Sequence, residues 1–296
     1  MSNLLWIPAT VLASAFQVMR NGLQRGLMPS TGPWGATLVR FLFGLPFSIA
    51  FVLIAQALTP AAHPHLTAAF WRAACAGALA QVLATAALLV AMQRAGFAVG
   101  TSLQQSSLPL AALFGLAVYH DHLSSMAWGG VAVTSAGLAV LTWPKGATGE
   151  KPVSGAAFGL LSGLCFGFSL NAFRHAARAM EPQHPIYSAV ASVVVVQAMQ
   201  AACLTAWLVL RDRKALAAVA NGWRQSLAAG LCGACASAGW FIALALSAAA
   251  PVRAVGVIEA PMAAVAGRRF FRERLHPRQI LAGGAVLVGV LLTTLN

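Results

Sequence analysis

The sequence predicts an all-α polytopic membrane protein with ten transmembrane helices arranged as two inverted five-helix repeats. Three observations predict it. The chain of 296 residues is 59% hydrophobic and only 8% charged, whereas roughly a quarter of residues in a globular domain carry charge. Ten apolar stretches are each long enough to cross a bilayer core of about 30 Å, which takes about 20 helical residues. Finally, the fourth and fifth stretches match the ninth and tenth at a constant offset of 152 residues.

In chain order the segments are 4–23, 34–58, 70–92, 97–118, 123–143, 154–173, 187–210, 226–247, 252–270 and 279–295. No basic region precedes the first and no clear cleavage site follows it, so a retained helix is expected rather than a signal peptide. The connections are short. The longest, RDRKALAAVANGWRQ from Arg211, has room for a surface helix at most. Along the sixth segment Gly155, Gly159, Gly163 and Gly167 recur every four residues. Such a stripe lets helices approach closely, either within a monomer or across a homodimer.

The offset of 152 pairs Pro109 with Pro261, Ala111 and Ala112 with Ala263 and Ala264, Gly115 with Gly267, Gly137 with Gly289, and the acids Asp121 and Glu273. A weaker match joins the first and sixth segments through Pro29 and Pro182. The repeats are therefore expected over 1–147 and 148–296, five crossings each. Five is odd, so the halves insert in opposite directions around a pseudo-twofold axis in the membrane plane, an architecture typical of secondary transporters.

The formal charge of +13 reflects cytoplasmic loops and anionic headgroups in such a protein, not nucleic acid. Fourteen basic residues, Arg20, Arg25, Lys145, Lys151, Arg272, Arg274 and Arg278 among them, follow odd-numbered segments. Only Arg72, Arg174, Arg178 and Arg253 lie on the other side. By the positive-inside rule the first set is cytoplasmic and both termini are non-cytoplasmic. All five cysteines fall in apolar segments, which excludes a secreted disulfide framework. The Cys232–Cys235 pair is one helical turn without further ligands, and His63 with His65 and His120 with His122 lack the additional ligands of a metal site. No metal or cofactor is expected.

Six acids occur in the chain, and Glu259 stands apart from the rest inside the apolar run VGVIEAPMAAV. A charge at a helix centre costs about 2.5 to 3.5 kcal/mol on insertion scales, so a membrane carboxylate faces a cavity or a partner. Pro261 removes an amide and frees the carbonyl of Val257, and Pro109 does the same for Gln105. Matched interruptions in two repeats point to a transport site, with a packing kink as the alternative. Gln104 and Ser107 are one turn apart in the polar run TSLQQSSLP, and the offset maps Ser107 onto Glu259. Arg40, the other deep charge, is open to three roles: holding a substrate carboxylate, pairing with Glu259, or snorkelling to the interface. Gln81 and Trp240 are weaker candidates to line the site, with Gln17, Asn171 and Gln197.

Glu259, Pro261 and the following FFRERLHPRQILAGGAVLVGVLL resemble the EamA-type branch of the drug/metabolite transporter superfamily. The likeness covers nearly the whole chain through its ten-segment, two-repeat layout. YddG-type amino-acid exporters are the first members for comparison. The resemblance implies a multi-pass inner-membrane exporter of small polar metabolites, most readily amino acids, aromatic or other apolar ones included. It departs from symmetry where Ser107 takes the place of Glu259. The partners expected are a small-molecule substrate and the bilayer, for a monomer or homodimer. Alternating access is the expected mechanism, and there is no Walker-type loop for ATP. An intramembrane enzyme using Glu259 as general base, and a passive channel or scramblase, are the competing functions.

Overall fold

The computed structural model describes residues 4–120, 124–141, 152–271 and 288. The tenth segment except Val288, together with Asp121, His122, Glu273, Gly289 and the basic residues Lys145, Lys151, Arg272, Arg274 and Arg278, lies outside that set. Within it the chain forms α1 (Trp6–Leu42), α2 (Leu45–Leu58), α3 (Ala68–Ala95), α4 (Phe97–Gln104), α5 (Ser107–Tyr119), α6 (Ser125–Leu141), α7 (Pro152–Met180), α8 (Pro185–Arg211), α9 (Arg213–Asn221), α10 (Trp223–Leu246), α11 (Ala249–Gly256) and α12 (Glu259–Phe271). No strand occurs among the described residues.

Six helical stretches among the described residues are long and apolar enough to cross a membrane. The difference from ten has local causes. Trp6–Leu58 runs for 53 residues, which at about 1.5 Å per residue is more than twice the bilayer core. It bends at Gly32, whose φ of 64° and ψ of 177° suit only a residue without a side chain. Gln24 Nε2 donates to the Ala36 carbonyl at 2.6 Å, although twelve residues of straight helix would separate them by about 18 Å. The chain therefore doubles back at Gly32, between the first two expected segments. The fourth segment is divided into α4 and α5, each too short to be counted as a span, and α6 has 17 residues.

Contacts gather the helices into two compact units, Met1–Val82 with Ala172–Ser247 and Leu83–Asn171 with Ala248–Asn296. Each unit draws on both halves of the sequence, because sequence correspondence and packing are separate relations. In the first unit α1 packs on α10, α8 and α9, and α2 packs on α8. Leu38, Val39, Phe41, Leu204, Leu208 and Val219 form its core. The expected surface helix is α9, begun by Asp212, whose carboxylate accepts the Ala215 N–H at 2.9 Å. That bond satisfies one of the free donors of a helix start.

In the second unit α4 packs on α12 and α11 on α5. Leu108, Ala112, Val131, Ala254, Val257 and Ala260 are buried together. The glycine stripe faces its own chain. A Cβ at Gly155 would stand 2.8 Å from the Ala95 backbone nitrogen, and one at Gly163 would lie 3.1 Å from both the Gln104 carbonyl and the Ser107 nitrogen. Small residues let α7 close on the interrupted α4–α5 segment.

Candidate functional site

Both interrupted helices break at corresponding places. Adding 152 to the bounds of α4 and α5 gives the bounds of α11 and α12. The hydrogen bonds across the two breaks correspond as well. Leu108 N–H donates to the Gln105 carbonyl and Ala260 N–H to the Val257 carbonyl, each at 2.9 Å. These are the carbonyls that Pro109 and Pro261 deprive of a partner, so the expectation that they are left open to the site is corrected. The residue just before each proline donates instead, tightening the turn to an i→i+3 pattern, because a buried carbonyl without a donor is costly.

Four buried side chains meet at these breaks. Arg253 Nε donates to Ser107 Oγ at 2.6 Å, and Nη2 donates to Gln105 Oε1 at 2.5 Å. Nη1 pairs with Glu259 Oε1 at 3.2 Å, and Gln105 Nε2 donates to Glu259 Oε2 at 3.1 Å. Arg253 is 2% exposed and Glu259 1%. Glu259 is the first residue of α12, where the positive end of the helix dipole favours a carboxylate. One guanidinium thus binds Ser107 and Glu259, the two positions that the offset makes equivalent.

The role left open for Arg40 as partner of Glu259 is filled by Arg253. The sequence places Arg253 beside a connection, whereas it lies inside α11. Six residues of unbroken helix would carry it well past the level of Glu259, and the turn at Val257–Ile258 returns the two to one place. Gln105, not Gln104, reaches Glu259 for the same reason. Positions 105 and 107 would face nearly opposite ways on a continuous helix, and the turn makes them converge. Gln104 is also buried, and its Oε1 meets no donor among the described residues. The clue available beforehand was the second amide of the QQ pair, on the residue whose carbonyl Pro109 leaves unpaired.

The first unit holds a separate polar cluster. Gln17, Arg20, Asn21 and Gln24 recur at helical spacing along α1 and are all buried. Arg20, expected as a loop charge, is fully buried; its Nη2 donates to Asn21 Oδ1 at 2.7 Å. Arg20 and Arg253 thus drop out of the loop-charge comparison, one from each side. Arg40 Nη2 donates to Ser237 Oγ at 3.5 Å, and Trp240 Nε1 to Gln17 Oε1 at 2.9 Å. Gln81 accepts from Gln200 Nε2 at 2.9 Å, and Gln197 accepts from Ser48 at 2.7 Å; both join helices within the unit. Asn171, in the second unit, donates to the Ala111 carbonyl at 3.0 Å.

At the α7–α8 connection Glu181 Oε2 accepts from His63 N–H at 3.3 Å and Oε1 from Gln183 N–H at 3.1 Å. Burial acts to raise its pKa, but these two amides and the nearby His184 and His65 outweigh it and hold the carboxyl below its ordinary value. No group of three or more His, Cys, Asp or Glu side chains gathers as a metal site among the described residues.

Long apolar helices and a matched pair of interrupted ones define a multi-pass helical membrane protein. Residues 153–295, just under half of the chain, match the EamA-like transporter family; the matched stretch covers nearly all of the expected second repeat. No curated protein matches the chain significantly. A crystal structure described only as that of a protein is similar with a TM-score of 0.65 and 15% identity, covering 99% of this chain and 97% of that chain. At that identity the likeness shows the fold alone.

Proposed function

We propose that this protein is a secondary transporter that exports small polar metabolites across the inner membrane by alternating access between two inverted repeats, with both termini non-cytoplasmic. The observation that carries the proposal is the residue-for-residue correspondence of the two interrupted helices, together with the EamA-like match in the second half. Interrupted helices in corresponding positions of two repeats accompany midplane binding sites in transporters, because irregular backbone is tolerated where it borders protein or water. Here each break supplies a pivot between two short half-helices. Arg253 spans both second half-helices, and Glu259 neutralises it, so the half-helices can change packing without exposing a lone charge to lipid. Of the substrate contacts proposed, Gln104, Ser107 and Glu259 belong to the break region, and Gln104 Oε1 is available to a substrate N–H. Arg40, Gln81 and Trp240 are proposed contacts in the first unit. Amino acids, as in YddG-type exporters, are the first substrates to test.

Purified protein in proteoliposomes should show saturable uptake and counterflow with at least one member of an amino-acid and organic-acid panel. Linear, non-saturating flux would make it a channel or scramblase. Chemical conversion of a panel member would make it an enzyme.

A further inference from the structure

We propose that the first unit holds one anionic phospholipid, with an acyl chain along α8 and its phosphate at the basic end of that helix. A groove of about 650 Å³ follows the face of α8 that carries Ala198, Ala202, Thr205 and Val209, and Leu42 and Leu45 at the α1–α2 joint form its other wall. Small side chains on α8 leave the room that larger ones would fill. Ala202, Ala206 and Val209 are exposed, so the groove opens to the hydrocarbon. From Ala198 to Leu210 the helix rises about 18 Å, a little more than one leaflet of a hydrocarbon core of about 30 Å. The whole groove lies within the first unit.

Its end is basic. Val209 and Leu210 line the groove, and the next four residues, RDRK, hold three cations and one acid. Arg213 folds back onto the last turn of α8, where its Nε donates to the Val209 carbonyl at 3.0 Å. Arg211, Arg213 and Lys214 form no ion pair among the described residues, and Asp212 Oδ1 is taken by the Ala215 N–H. Arg211 stands 5.4 Å from the centre of the Trp207 ring, and Trp207 and Trp223 are exposed, as aromatic side chains at headgroup level are. In α9, Ala215 and Val219 are buried while Arg213 and Lys214 are exposed, the division expected of a helix at the membrane interface. Guanidinium forks bind phosphate oxygens in pairs. Net charge then selects the headgroup, because the ammonium of a zwitterionic lipid is repelled by the same cations. A small free anion meets the cations but leaves the groove unused, so the two parts together select a lipid.

The site is independent of the transporter reading and requires only that the chain spans a membrane. Binding is measured on the whole protein in neutral detergent by the shift in unfolding midpoint. The ligands are phosphatidylglycerol, phosphatidylethanolamine with the same chains, and glycerol phosphate, which carries the anion alone. Phosphatidylglycerol should bind about tenfold more tightly than phosphatidylethanolamine, and glycerol phosphate at the same concentration should give no shift. Arg213→Gln and Lys214→Gln should each weaken phosphatidylglycerol about fivefold, the effect of one cation at an anionic surface. Arg72→Gln, at an exposed position near the start of α3, should leave it unchanged. Ala206→Phe fills the groove and keeps every charge, and should weaken phosphatidylglycerol about fivefold through lost chain contacts; Ala202→Phe makes the same test should that variant fail to fold. Equal binding of the two lipids, a glycerol phosphate shift matching that of phosphatidylglycerol, equal weakening by Arg72→Gln, or undiminished binding in the groove-filling variants would overturn the site.

Discussion

Both units bury arginine, in different settings. Arg253 in the second unit is paired with Glu259 and bonded to Gln105 and Ser107. In the first unit Arg20 and Arg40 converge on Gly233, donating to an amide and a hydroxyl, respectively. The acids Glu181 and Asp212 of that unit serve the α7–α8 connection and the start of α9. A charge met by a carboxylate is fixed in place, since removing either partner strands the other. The comparison sets an ion pair at the helix breaks of the second unit beside two arginines that one glycine of α10 brings together in the first.

The largest effect is expected where the pair is broken. Glu259→Ala should destabilise the protein by about 3 to 5 kcal/mol, because Arg253 is left buried without a counter-charge. Replacing both residues with apolar ones, Arg253→Met with Glu259→Leu, should recover most of that loss in detergent unfolding. A double variant no more stable than Glu259→Ala would show that the pair is not a self-contained unit.

Arg40→Met, which takes away the bond to Ser237 Oγ, should cost less, about 1.5 to 3 kcal/mol, the scale of a hydrogen bond made by a charged group. The contrast with Glu259→Ala is the measurement. If Arg40→Met costs as much as breaking the second unit's pair, Arg40 is a bracing residue and the proposed difference between the units disappears.

A pH titration sharpens the picture at the α7–α8 connection. Glu181 has a folded-state pKa below its unfolded value, so its contribution to stability is present above the unfolded pKa and is lost as pH falls through the folded one. Glu181→Gln should flatten the acid limb of the stability profile. A steeper acid limb in that variant would contradict the assignment.

The smallest effect is expected at Gly26, inside α1, where a Cβ would meet nothing within 4 Å. Gly26→Ala should raise stability by about 0.5 to 1 kcal/mol by restricting the unfolded chain and favouring helix. At Gly155 the same change should destabilise by about 1 to 3 kcal/mol, since the added carbon meets the Ala95 backbone. Unfolding midpoints of equal sign for the two would undo the packing described for α7.

Much of this was legible in the chain. Hydropathy located the apolar segments, and the prolines located both interruptions to within a residue or two, because a missing amide acts locally whatever surrounds it. The offset of 152 anticipated which helix bounds correspond. What failed was direction and depth. Helical periodicity puts Gln104, not Gln105, on the face of Ser107, and periodicity fixes a face only while the helix is continuous. A charge near the edge of an apolar run, as at Arg20 and Arg253, resembles a loop charge, although Gln17, Asn21 and Gln24 mark the same buried stripe as Arg20.

Composition and spacing, which act along the chain, determined that this is a helical membrane protein with corresponding interrupted helices and a carboxylate in one of them. Partner choice was decided only by the tertiary structure. A turn at Val257–Ile258 brings Arg253 back to Glu259, and a reversal at Gly32 lays Arg20 and Arg40 over one glycine. The physical reason is that a charge in a low-dielectric interior interacts with whatever lies within a few ångströms, and that proximity is set by where the backbone turns back on itself.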